Sequence, residues 1–108
     1  MSYEFLKRAI EARRSLTGVY DNYVRWFSPH VLGRSAIGQP TVVGFQYGGG
    51  RPDGMLPPEG AWCVFVIDRL HSLEPNDDRW VKGPLDSMPS ALMSVIDLDS
   101  SGDERMRA

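Results

Sequence analysis

Helical periodicity occurs once in this sequence, at the N-terminus, and none of the later apolar runs repeats it. Leu6, Ala9, Ile10 and the stem of Arg13 recur at i, i+3, i+4 and i+7. Ser2 is placed to cap the first turn, while Glu4 stands early and Arg13 and Arg14 late, as the helix dipole favours. From Leu16 onward the apolar residues are largely β-branched or aromatic and come in short runs. A parallel sheet needs a helix between each pair of strands. One leading helix followed only by strands therefore restricts the chain to mostly antiparallel pairing.

The strands can be placed one by one. Val19 and Tyr20 on one side of Asp21-Asn22, and Tyr23, Val24, Trp26 and Phe27 on the other, predict a hairpin. Pro29 is expected to stop its second strand. Residues 33 to 40 read as a loop and Thr41 to Tyr47 as a buried strand. The stretch from Gly48 to Gly60 is too rich in Gly and Pro for either helix or ladder, so a long mobile loop is expected there. Trp62 to Leu70 and Ala91 to Leu98 read as further strands, with Glu74 to Pro89 a loop pinned by Trp80 and Leu85. Five short antiparallel strands are most economically closed into a small barrel, the helix covering one open end or face. The predicted fold class is thus mainly β (α+β), an N-terminal helix plus a small five-stranded antiparallel barrel. Residues 1–99 form one domain in this reading, and 100–108 a flexible tail carrying both acidic and basic residues.

Composition narrows the function classes. A chain of 108 residues, 42% hydrophobic and 24% charged, suffices for one buried core and is short for two. No apolar run approaches the roughly 18–20 residues that a spanning helix needs. Met1-Ser2-Tyr3-Glu4 lacks the basic-then-apolar layout of a secretory signal, so a cytoplasmic location without membrane attachment is expected. One cysteine, Cys63, precludes an internal disulfide, and with only His30 and His71 beside it no zinc-type spacing exists. No metal and no cofactor are expected. Residues 1–51 carry seven Lys or Arg against three acids, and residues 52–108 five against eleven. Such a split suits either a basic face for phosphates or an acidic tail.

Catalytic motifs fail on inspection. Gly33 and Gly38 have P-loop spacing, but Gln39 and Pro40 stand where Lys and Ser or Thr are required. Asp97, Asp99, Ser101 and Gly102 imitate a calcium loop whose twelfth position would be Ala108 rather than Glu. Cys63, inside an apolar β run, reads as a buried small hydrophobe with an inert thiol, not as a nucleophile served by His30 or His71. Asp77 and Asp78 read as a solvated turn. No catalytic residue is assigned and the chain is expected not to be an enzyme.

A set of segments nevertheless has a familiar order: a helix ending in Arg13-Arg14, a strand ending in Tyr20, Arg25-Trp26-Phe27-Ser28-Pro29-His30-Val31-Leu32-Gly33, Val43-Gly44-Phe45-Gln46-Tyr47, and Trp62-Cys63-Val64-Phe65-Val66-Ile67-Asp68-Arg69-Leu70. Over roughly residues 6–75 this resembles the WYL domain. The resemblance implies an Sm-like or SH3-like barrel of the kind found in bacterial regulators, where it senses a ligand, often thought to be a nucleotide or single-stranded nucleic acid. With one helix, the chain offers none to enter a major groove. It also departs from the family. Pro40-Thr41-Val42 stands where the naming triplet would fall, and Cys63 and Val66 replace arginines that commonly flank the Phe of the later strand. Both replacements remove a planar fork of donors for phosphate or carboxylate.

The residues left to line a pocket are Tyr20, Arg25, His30, Gln46, Tyr47 and Arg69. Arg25 shares a strand face with Tyr23 and Phe27 and either covers those rings or grips a ligand. His30 either satisfies loop backbone or touches ligand, and Arg69 either pairs with Asp68 or a nearby acid or belongs to the site. Tyr20 and Tyr47 are either stacking platforms for bases or core residues. The expectation is a non-catalytic ligand-sensing or nucleotide-binding regulatory module. The alternative is a protein-interaction or self-assembly module that uses exposed strand edges and Trp26, Trp62 and Trp80.

Overall fold

In the computed structural model, which describes residues 2–52, 54–89 and 93–99, helix α1 covers Ser2–Ala12 and buries Leu6, Ala9 and Ile10. The fourth position of the expected stripe behaves differently, because Arg13 leaves the helix at φ 51° and is exposed. The Arg13 N–H bonds the Ile10 carbonyl at 3.2 Å and the Arg14 N–H bonds the Ala9 carbonyl at 2.9 Å. This is a Schellman closure, with Arg in the left-handed position that usually takes Gly.

Six strands follow: β1 (Leu16–Tyr20), β2 (Tyr23–Ser35), β3 (Pro40–Gly49), β4 (Ala61–Val66), β5 (His71–Pro75) and β6 (Met93–Asp99). Every pairing is antiparallel, in the order β4-β3-β2-β1-β5, with β6 also on β2. The thirteen-residue β2 organises the sheet. Residues 25–34 of β2 pair with β3, while its other edge is shared, β1 taking residues 23–27 and β6 residues 31–35.

Three expectations are corrected. Pro29 does not stop β2 but lies inside it, opposite Gly44, in the interval where β1 has ended and β6 has not begun. Lacking an N–H, it has no ladder bond to lose on that edge. The expected loop at 33–40 shrinks to the turn between β2 and β3. The single strand expected over Trp62 to Leu70 breaks at Val66 into a 3-10 turn, Ile67–Arg69, and the chain resumes as β5, which the sequence reading missed. Of the last expected strand, residues 91 and 92 lie outside the described residues, as does the 100–108 tail.

The sheet has two differently built faces. On one, α1 caps a core of Leu16, Tyr20, Phe27, Leu32, Val42, Phe65, Ile67 and Leu70. On the other, Val31 and Val43 pack with Trp62, Val64 and Met88. Phe27 and Leu32 both belong to the first face although they are five apart, and the register shift between Pro29 and Val31 is what allows it. The sheet is strongly curled. β1 and β4 are three strand spacings apart in order, about 14 Å in a flat sheet. Yet the Tyr20 hydroxyl accepts the Val66 N–H at 3.1 Å, and the Tyr20 and Phe65 rings meet edge-on at 4.9 Å. Among the described residues β4 and β5 form no ladder, so the pairing itself is that of a curled open sheet. Among the described residues, no helix is long and apolar enough to cross a membrane.

Candidate functional site

At the end of the first face remote from Leu16, the β1–β2 hairpin and the start of β4 frame an open cavity of about 430 Å³. Its walls are Tyr20, Asp21, Arg25, Arg51, Pro52, Trp62, Cys63, Val64 and Phe65. The hairpin is local in origin: Asp21 and Asn22 both sit at positive φ (52° and 68°), as a two-residue type I′ turn requires. That turn pairs Tyr20 with Tyr23 and Gly18 with Arg25, and so turns Arg25 to the concave face beside Tyr20.

Arg25 is the unusual member. It is 4% exposed, and no carboxylate among the described residues pairs with it. Nη1 donates to Gln46 Oε1 at 3.2 Å and Nη2 to the Tyr20 carbonyl at 3.1 Å, while Nε has no acceptor among the described residues. Rings partly surround it, with the Tyr20, Tyr23 and Phe65 centroids 5.6, 5.9 and 5.6 Å away. A guanidinium carries five N–H donors, so this one retains donor capacity in a low-dielectric setting, where an anion would be held strongly.

Gln46 fixes that cation in place. Its Nε2 donates to the Gly48 and Gly50 carbonyls at 2.9 and 3.0 Å, and its Oε1 also accepts the Cys63 thiol at 3.2 Å. One fully buried amide thereby ties together the cation, the thiol and the glycine run that ends β3 and leads to Arg51 on the cavity rim. Arg69, on the 3-10 turn, lies 4.9 Å from the Tyr20 centroid and pairs with Asp21 at the mouth. Asp21, rather than the neighbouring Asp68, is therefore its acid.

Four of the six residues singled out in the sequence, Tyr20, Arg25, Gln46 and Arg69, come together here. The other two lie on the opposite face, beneath the segment from Asn76 to Pro84. His30 is 1% exposed, stacked on Trp80 at 4.6 Å and edge-on to Trp62 at 4.8 Å. Its Nε2 accepts the Gly83 N–H at 3.3 Å, so the proton is on Nδ1, which donates to the Ser28 carbonyl at 2.7 Å. Tyr47 donates to Asp78 at 2.7 Å and accepts from Asn76 at 2.9 Å. Burial, then the Asp78 hydrogen bond, push its phenol up to about 12. Ser15 and Ser28 complete the seam: Ser15 Oγ donates to the Arg79 carbonyl, Ser28 Oγ accepts the Val81 N–H, and the two hydroxyls lie 2.7 Å apart.

Cys63 corrects the sequence reading. It is half-buried, packed against the first-face core and at the same time lining the cavity. The alternation of β4 carried the signal: Cys63 and Phe65 share a face, and Phe65 is the core residue. Arg51, which lines the cavity from the glycine-rich loop, and Tyr23, half exposed beside Arg25 but outside the lining, are not among the residues the sequence points to for a site. Arg51 lies in a stretch without periodicity, where sequence offers no way to aim a side chain. Among the described residues no three His, Cys, Asp or Glu side chains come together to hold a metal ion. No protein-family model, curated protein or solved structure matches the chain.

Proposed function

We propose that the chain is a non-catalytic, ligand-sensing regulatory module of WYL type, acting in the cytoplasm, whose cavity receives the anionic group of a nucleotide-like ligand on Arg25. The supporting observation is the buried guanidinium with no carboxylate partner among the described residues. Burying an unpaired cation is costly, and a site that keeps one gains only when an anion arrives. The cavity is at the lower end of the size range for small-molecule pockets, which favours one nucleotide unit over a long strand. Tyr23 offers a partly exposed ring beside the cation, suited to stacking on a base. The reading includes closure of the curled sheet into an Sm-like barrel, supported by the Tyr20 bridge from β1 to Val66 of β4.

The test is titration of the protein with a panel of mononucleotides and a short oligothymidine at low salt, read by Trp62 fluorescence and calorimetry. Saturable binding that weakens with added salt, and falls roughly 10- to 100-fold in Arg25→Ala, is the expected result for loss of a charge-assisted contact. No binding of either class at millimolar concentration would sink the reading.

A second reading, self-assembly or docking of a protein partner, has one observation in its favour. Tyr23, Val24 and Trp26 are 40–48% exposed at the start of β2, and the outer edges of β4 and β5 pair with no strand among the described residues. Trp62 and Trp80 do not support it, since they are engaged with His30 and the 76–84 segment. Light scattering separates the two readings: a stable oligomer indifferent to nucleotides would favour the second.

A further inference from the structure

We infer that Cys63 is a thiolation site, forming a mixed disulfide with low-molecular-weight thiols that bear carboxylates, of the glutathione class. The inference shares the cavity with the function proposed above but does not need its nucleotide. A single thiol would not carry it. The second observation is Arg25, 4% exposed, which lines the same cavity and keeps a buried N–H without an acceptor among the described residues. Both groups meet on one atom, since Gln46 Oε1 accepts from Arg25 Nη1 and from Cys63 Sγ, each at 3.2 Å. The thiol and the cation therefore lie within about one side-chain length of each other, the separation between sulfur and carboxylate in a small peptide thiol.

The open mouth admits an incoming disulfide to a half-buried sulfur. The reaction is exchange: Cys63 loses its proton, its sulfur attacks one sulfur of R–S–S–R, and a Cys63–S–S–R bond forms as the old S–S bond breaks. The departing thiolate takes up the proton and leaves as RSH. Cys63 is oxidised and the departing half is reduced, so no other oxidant is involved. With the sulfur tethered, a carboxylate of R reaches the spare donor capacity of Arg25, which selects anionic thiols over cationic ones. The adduct fills the cavity and excludes any other anion from it.

The test compares two disulfides of similar reactivity and opposite charge, oxidised glutathione and cystamine, on the native full chain by intact-mass spectrometry. A single adduct on Cys63, absent from Cys63→Ser, should form roughly 10- to 100-fold faster with oxidised glutathione, the rate equivalent of one charge-assisted contact. Arg25→Met, checked for native circular dichroism, should lose that preference. Equal rates with the two reagents in the unaltered protein, faster reaction with cystamine, or no adduct overturns the inference, and the first comparison needs no variant to fold. A protein that binds mononucleotides yet shows no charge preference would refute thiolation alone. One that shows the preference but binds no nucleotide would refute only the earlier reading.

Discussion

Gln46 and Tyr47 are adjacent on β3, point to opposite faces and are each tied to neighbours by their polar ends. Gln46, fully buried, joins the Gly48 and Gly50 carbonyls to Arg25 and Cys63. Tyr47 holds Asn76 and Asp78 on the other side. Both were singled out as pocket residues from sequence, and one residue of parity separates the amide that orients the candidate site from the phenol that anchors a loop. The Tyr47 environment has a measurable consequence. Burial first, and the hydrogen bond to Asp78 second, raise its ionisation from 10.0 to about 12. The unfolded chain then releases this proton at lower pH than the folded one. Across that window the unfolded state binds fewer protons, so stability falls as pH rises, and the contribution is complete below pH 10 and lost toward 12. Carbon-13 chemical shifts of the labelled Tyr47 ring should report a midpoint near 12, moving toward 10 in Asp78→Asn. A midpoint near 10 in the unaltered protein would show that neither the burial of the ring nor its hydrogen bond to Asp78 persists in solution.

Among the elements, the hairpin was the most legible and the elements around it less so, for identifiable reasons. Asp21-Asn22 announces its turn because few residues tolerate two consecutive positive φ angles, whereas β5 (His-Ser-Leu-Glu-Pro) announces nothing, being mostly exposed with one half-buried apolar residue. Pro29 misled for the opposite reason. Its local rule is sound, but it bites only where a neighbouring strand needs the missing N–H, and on one edge of β2 that is decided by where β1 ends and β6 begins. The site divided in the same way: Tyr20 and Arg25 follow from the hairpin's parity, while Cys63 needed the face of β4 and Arg51 needed the loop. The hairpin itself offers a clean test. Asn22 lies at φ 68°, so Asn22→Val should cost about 1–2 kcal/mol, while Asn22→Gly should hold or slightly raise stability. Thermal melts of the two variants check this, and indifference to valine would mean that the turn is not type I′.

For the molecule as a whole, the buried cation poses a question of stability against function. Arg25 sits among Tyr20, Phe65 and Tyr23 without a carboxylate among the described residues. A residue kept for packing would be served as well or better by an apolar side chain of similar length, because desolvating a charge that gains no counter-charge opposes folding. Two contacts argue the other way, the Tyr20 carbonyl and Gln46 Oε1, but the latter keeps the Cys63 thiol as a donor when Arg25 is removed. The balance favours the apolar replacement. Arg25→Met should therefore unfold in urea within about 1 kcal/mol of the parent, or above it, while losing affinity for anions in the cavity. A protein destabilised by roughly 3–5 kcal/mol instead would place Arg25 among the structural groups whose removal strands buried partners. Stability retained with binding lost is the pattern of a residue held in the fold for what it receives, and the two measurements on this one variant separate that role from support of the core.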